Sequence, residues 1–305
     1  MPEASVRPVH PAHLPNELSA EELRLRSDGT GEVAVEPLRA GWRYLSFRAL
    51  PVANGQAIAL DPTLEHAIVL VAGGDVELER DTGASTRITG RSSPFEQLPT
   101  ALYVPAGQRC VLRGAARGGG ATTWVAVASA PSSGRDGVAH EAVTIGPRDI
   151  DVEVRGSGNA TRQINHIIMP GFPADRLEIV EVVTPSGNWS SWPPHKHDVD
   201  NMPLEAVLEE VYYYRFRRPE AWGLQRLYRA DRSRDASWEV RDGDLVLVTD
   251  GYHPFVATHG DDAYYLNALA GDRRTMACSY DPDFEWVLDR WPSESRDPRV
   301  PLVPK

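Results

Sequence analysis

An all-β fold, arranged as two jelly-roll β-barrels in tandem, is predicted by three features of the sequence. Long helical periodicity is scarce, and short β-branched or aromatic runs are cut repeatedly by Gly, Pro, Asn and Asp. The two halves of the 305-residue chain also read as weak copies of one another.

The elements follow in order. The stretch PNELSAEELRLR (15–26) is the clearest short helical candidate. Strands are then expected in GWRYLSFRAL (41–50), EHAIVLVAG (65–73), DVELER (75–80), ALYVPAG (101–107), CVLRG (110–114) and TTWVAVAS (122–129). A low-complexity turn, RGAARGGGA (113–121), interrupts this half, and PSSGRDGVAHEA (131–142) reads as the linker, dividing the chain into 1–140 and 141–305. The second half offers LEIVEVVTP (177–185), EEVYYYRF (209–216), GLQRLYRA (223–230), DLVLVTDG (244–251) and AYYLNALAG (263–271). Placing Gly107 over Gly251 aligns 101–114 with 245–257, TTWVAVASAP with AYYLNALAG, and EHAIVLVAGG with EEVYYYRF. Arg109 then stands against His253, and only the second half carries a His-x-His pair. The tail from Phe284, with two tryptophans and much proline, is expected to lie as an extended arm across a barrel or a neighbouring copy of the chain, so self-association is an expectation.

Composition narrows the function classes. The chain is 41% apolar with no apolar run near membrane-spanning length, and its first residues lack the basic start and apolar core of a secretion signal, so a cytosolic protein is expected. Two distant cysteines argue against a disulfide scaffold or a Cys-rich zinc module. A net charge of −11 argues against nucleic acid and would repel an anionic ligand unless local arginines hold it. Of 32 basic residues only Lys196 and Lys305 are lysines, which nearly excludes Schiff-base chemistry.

The stretch SSWPPHKHD carries the chemistry. On a strand, His195 and His197 project together and Lys196 points away. With a carboxylate from Glu209 or Glu210, between which strand parity does not decide, and His253 after the turn at Gly251, they form a donor set for a divalent first-row metal. A bare His-x-His pair is more often a surface or core feature; the later carboxylate and Gly-x-His raise the metal reading above that.

GNWSSWPPHKHD (187–198), LEEVYYYRF (208–216), GYHPF (251–255) and YYLNALAG (264–271) closely resemble the 5-deoxy-glucuronate isomerase family of bacterial myo-inositol catabolism, related to the pectin-pathway ketol-isomerase of a deoxy-hexulose uronate and part of the cupin superfamily. The similarity runs from Arg155 to Gly271. It implies a bicupin whose first half is a degenerate barrel without metal, with the metal in the C-terminal barrel. The implied ligands are His195, His197, Glu210 and His253, holding zinc, with manganese or iron(II) also suited to such donors. The implied reaction interconverts 5-deoxy-D-glucuronate and 2-deoxy-5-keto-D-gluconate, the cation polarising a carbonyl and its neighbouring hydroxyl. The segment 198–209 becomes a loop inserted over the site. The general base is sought among Asp198, Asp200 and the barrel tyrosines, with Asp198 and Tyr214 tested first. Tyr212, Tyr265 and Asn267 are candidate cavity residues; Gln225 and Arg226, and with similar standing Arg162, are candidates for the sugar carboxylate. Each has ordinary packing or a surface strand as its rival reading. Asp198 is also a candidate to support a ligand imidazole. His10, His13, His66, His140 and His166 carry no spacing signal and read as structural or exposed, and the serines of GNWSSW read as turn-shaping. A cupin oxygenase using iron at the same ligands and a non-catalytic sugar-binding cupin are the alternative functions.

Overall fold

Strand Glu209–Phe216 sets the layering. Glu210, Tyr212 and Tyr214 face one way, Glu209, Val211 and Tyr213 the other, and all six are buried, so the sheet that contains them is covered on both faces. The computed structural model describes residues 18–27, 30–115 and 122–305. In it this strand belongs to a seven-stranded antiparallel sheet ordered Arg24–Leu25, Leu245–Val248, Glu209–Phe216, Ala263–Ala270, Leu177–Thr184, Arg162–Ile168, Asp151–Arg155. The even-residue face is covered by a four-stranded sheet of Trp189–Ser190, Phe255–Ala257, Trp222–Tyr228 and Asp235–Arg241, whose Phe255 ring packs 5.1 Å from Tyr214. The odd-residue face packs on a six-stranded sheet of Val143–Ile145, Ala101–Val104, Leu64–Ala72, Thr123–Pro131, Ser46–Val52 and Val33–Val35. Phe47 and Tyr213 meet there with ring centroids 5.9 Å apart. The far face of that six-stranded sheet closes a second apolar core, including Leu50, Ile68, Leu70 and Val125, against the four strands Ala57–Ala59, Cys110–Gly114, Val76–Arg80 and Ser85–Ile88.

The aligned segments occupy matching places in the two large sheets. Leu64–Ala72 lies between Ala101–Val104 and Thr123–Pro131, as Glu209–Phe216 lies between Leu245–Val248 and Ala263–Ala270. Gly107 and Gly251 both adopt positive φ, 91° and 81°. None of the sheets closes on itself, so the predicted barrels are instead pairs of facing open sheets. The edges are finished by short exchanged strands: Arg24–Leu25 joins the seven-stranded sheet and Val143–Ile145 the six-stranded one.

A matched pair of buried carboxylates ties the large sheets together. Glu65 accepts the backbone N–H groups of Asp175, Arg176 and Leu177 at 2.9, 2.6 and 3.0 Å. Its counterpart in the repeat, Glu209, accepts those of Arg43, Tyr44 and Leu45 at 2.6, 3.0 and 2.7 Å. Between the same sheets Arg91 pairs with Glu181, both fully buried, and Tyr264 donates to Glu181 at 2.6 Å.

The predicted N-terminal helix is corrected. Within its described part only Glu21–Leu23 form a single 3-10 turn, and Arg24–Leu25 extend as a strand against Val246 and Leu245. Burial of Leu23 and Leu25 in the shared core outweighs the local helical preference of this acidic stretch. Residues 15–17 of that stretch, residues 116–121 of the glycine-rich turn, and His10 and His13 lie outside the described residues. The tail folds back on its own chain: Ser279–Tyr280 pairs with His195–Lys196, and Val303 exchanges two 2.8 Å hydrogen bonds with Gln163. Among the described residues no helix is long and apolar enough to cross a membrane.

Candidate metal centre

Sheet geometry resolves the choice between the adjacent glutamates. Glu209 is spent on the three backbone N–H groups of the odd face, and Glu210 projects from the even face toward the histidines. Donor atoms of His197, Glu210 and His253 lie within 4.8 Å of one another, all three residues buried. Glu210 Oε2 is 2.9 Å from His197 Nε2 and 3.4 Å from His253 Nε2. His195 stands beside this triad rather than within it, its ring 4.6 Å from that of His253 and 6.5 Å from that of His197. Lys196 points away, as expected, into ion pairs with Asp198 at 2.6 Å and Glu205 at 2.8 Å. Gly251 makes the approach to His253 possible: a Cβ there would lie 2.5 Å from the Tyr228 carbonyl oxygen.

The three imidazoles share one orientation. His195, His197 and His253 each turn Nδ1 to a backbone carbonyl, of Pro193, Leu208 and Gly251 at 3.3, 2.9 and 3.0 Å. A carbonyl only accepts, so in His195 and His253 Nδ1 carries the proton and Nε2 keeps its lone pair, whereas His197 Nε2 faces the Glu210 carboxylate, also an acceptor, and donates to it when no ion stands between them. The buried Nε2 of His253 has no hydrogen-bond partner among the described residues. Burial holds His195 and His253 down to about 3, so both are neutral at physiological pH. Burial also pulls His197 down, but its hydrogen bond to Glu210 outweighs this and the net direction is up. The neutral imidazoles of His195 and His253, with His197 and the Glu210 carboxylate already facing each other, fit a divalent cation that would displace the proton between His197 and Glu210, and the bare Nε2 of His253 is the observation that fits it best.

A cavity opens from His195 and Glu210 and is lined by Tyr212, Tyr265, Asn267 and Ser191 among others. Tyr212 and Tyr265 both share hydrogen bonds with Ser191 Oγ, at 2.8 and 3.2 Å. Burial pushes both phenols up, so they remain protonated donors. Asn267 donates to the Val211 carbonyl at 3.3 Å and presents its remaining edge to the cavity.

Four other candidates do not line this cavity. Asp198 accepts from Lys196 and, at 2.7 Å, from Gly251 N–H, which ties the two histidine segments together. Tyr214 donates to Gln225, and Gln225 donates to the His253 carbonyl at 2.7 Å, so this pair braces the turn that carries His253. Arg226 faces outward, held by Asp235 at 2.8 and 2.6 Å. Its strand alternates, and the opposite parity from Gln225 sends it to the outer surface.

The residues that sequence reasoning passed over are Ser191, Arg155 and His166, all on the cavity wall. Ser191 has φ of 49°, a left-handed conformation that non-glycine residues seldom adopt. Such strain leaves no mark in a sequence. His166 reaches the cavity because it shares strand parity with Arg162 and Ile164, and its Nε2 lies 2.9 Å from Glu153.

Glu178, on the even face across Leu269 from Glu210, is fully buried without a well-formed hydrogen bond. Burial pushes it up to about 7 from an ordinary 4.5, and the Arg274 charge and the Thr275 N–H offset only part of that. The native chain therefore holds a proton that the unfolded chain has released, and stability falls as pH rises from about 4.5 through 7. Glu178→Gln is expected to match the parent near pH 5 and to unfold at a higher temperature near pH 8. Parallel melting temperatures for the two proteins across that range would remove the assignment.

Residues 20–287 match the KduI/IolB family. The chain belongs to the KduI/IolB family. A 5-deoxy-glucuronate isomerase from Geobacillus kaustophilus is 37% identical over 284 residues, covering 93% of this chain and 96% of that relative. One from Geobacillus thermodenitrificans is 38% identical over 258 residues, covering 84% and 91%. Among solved structures, an IolB-like protein from Salmonella typhimurium LT2 superposes with a TM-score of 0.80 at 34% identity, covering 87% of this chain and 99% of that one. Lactobacillus farciminis oxalate decarboxylase, at 9% identity and a TM-score of 0.57 over 88% and 90% of the chains, shares the cupin-like fold alone. The curated KduI/IolB relatives are isomerases by name, and this chain is an enzyme of the isomerase class.

Proposed function

We propose that the chain is a metal-dependent aldose–ketose isomerase of the cytosol that interconverts 5-deoxy-D-glucuronate and 2-deoxy-5-keto-D-gluconate in myo-inositol catabolism. It would work as a bicupin, with a metal-free half at 1–140 and a metal-binding half with its C-terminal arm at 141–305. The observation that carries the reading is the convergence of His197, Glu210 and His253, with His195 beside them, at the end of a cavity in a chain of this family. These four side chains would hold the ion, zinc first, with manganese or iron(II) suited to the same donors. Such an ion supplies Lewis acidity to a carbonyl and the hydroxyl beside it.

The chain's own groups do the rest. Tyr212 and Tyr265, protonated and fixed by Ser191, donate to sugar oxygens, and Asn267 orients the hydroxyl chain. Asp198 and Tyr214 act on the reaction through the histidine segments they brace. In the isomerisation a proton leaves C2 of the aldose and one is delivered to C1, while the hydroxyl proton passes from O2 to O1. NMR of 5-deoxy-D-glucuronate with the enzyme in deuterated water tests this. The expected result is the ketose with one deuterium at its hydroxymethyl carbon; an unchanged aldose would refute the function, and conversion without deuterium would replace proton transfer by a hydride shift.

A further inference from the structure

We propose that Arg162, backed by Arg155, is the carboxylate subsite of this cavity and makes the site select a sugar acid over a neutral sugar. The inference rests on the isomerase reading only for the identity of the ligand.

Two arginines in the described chain are almost wholly buried, Arg91 at 3% and Arg162 at 4% exposure. Arg91 has the Glu181 carboxylate. Arg162 has no ion pair with any Asp or Glu among the described residues. One amino group donates to the Ala160 carbonyl at 3.1 Å, and the guanidinium lies over the Trp291 ring at 5.7 Å. A desolvated cation in this position is costly unless an anion reaches it. Burial lowers it to about 10, which still leaves it charged at neutral pH.

The neighbour makes the imbalance worse. Arg155 sits directly opposite Arg162 in the antiparallel ladder, and like charges in such a pair repel. Glu153 holds Arg155 through two hydrogen bonds, at 2.7 and 2.8 Å, and also takes His166 Nε2 at 2.9 Å. That carboxylate is used up on Arg155, and the surplus positive charge rests on Arg162. Both arginines line the cavity that contains His195, Glu210, Tyr212 and Tyr265. A sugar whose carbonyl end lies at the histidines therefore meets a planar, two-pronged donor at its other end, the geometry a carboxylate accepts. With a net charge of −11 working against anions, the chain needs such a local anchor.

The test uses the full-length protein, Arg162→Met, Arg162→Lys, and two ligands: 5-deoxy-D-glucuronate and its uncharged C6-alcohol counterpart. Calorimetric binding and kcat/KM are both read, with bound metal measured in each protein. Arg162→Met is expected to lose about 100-fold on the acid and only about threefold on the alcohol, with its metal content kept. Arg162→Lys should fall between, since it keeps the charge and loses the fork. Equal losses on both ligands would mean that Arg162 only supports Trp291 and the fold, and would overturn the proposal, as would unchanged binding of the acid. If the parent fails to isomerise the acid, the proposed function falls; a calorimetric preference for the acid that Arg162→Met abolishes would still establish the anchor, and no preference would sink both.

Discussion

Glu210→Gln is expected to reduce turnover of 5-deoxy-D-glucuronate by about 10³-fold or more, because Lewis-acid assistance contributes several kcal/mol and about 1.4 kcal/mol corresponds to a decade in rate. The change preserves shape and leaves an acceptor for His197, so the melting temperature should hardly move. The adjacent substitution, Glu209→Gln, should behave in the opposite way. That side chain faces the six-stranded sheet and satisfies three successive N–H groups, so its loss should lower stability while leaving the rate of the folded enzyme close to that of the parent. Steady-state kinetics and urea unfolding on the two variants check the pair. A Glu209→Gln variant that folds normally and is inactive would reverse the assignment of the two faces.

The largest stability effect is expected at Arg91. Arg91→Met leaves the Glu181 carboxylate buried with only neutral donors, Tyr264 at 2.6 Å and Asn165 at 3.4 Å. Breaking a buried pair from one side costs about 3–5 kcal/mol. The carbonyls of Val71 and Gln97, which Arg91 also satisfies at 2.9 Å each, lose their donor as well. Adding Glu181→Leu removes the stranded charge, and the double variant is expected to recover a large part of the loss. Urea unfolding of single and double variants decides it: a double variant less stable than Arg91→Met would show that the carboxylate is not what the single substitution strands.

The strands were legible because β-branched and aromatic runs bounded by glycine and proline persist on both sides of each sheet. The repeat was legible at Gly107 and Gly251, where the turn demands a left-handed residue. Glu209 and Glu210 were not separable by alternation, since both faces of their strand are buried and polarity no longer marks the outside. The predicted barrels differ from the observed open sheets because closure depends on edge strands that come from elsewhere in the chain, Arg24–Leu25 and Val143–Ile145. In the site, the His-x-His pair, the carboxylate and the later histidine form a pattern that spacing can reveal. Gln225 and Arg226 differ by one position on an alternating strand, and their partners, the His253 carbonyl and Asp235, are set by tertiary packing and by a hairpin. Arg162 could not be distinguished from surface arginines, because what sets it apart is burial without a carboxylate in ion-pair contact, a matter of three-dimensional packing.

The most direct test of the metal centre is elemental analysis of the purified chain before and after exhaustive chelation, with turnover measured on the same samples. One divalent ion per chain is expected, absent or nearly so from Glu210→Gln, with activity falling to background on removal of the ion and returning when zinc, manganese or iron(II) is restored. Full turnover of 5-deoxy-D-glucuronate by a chain shown to carry no ion would contradict it.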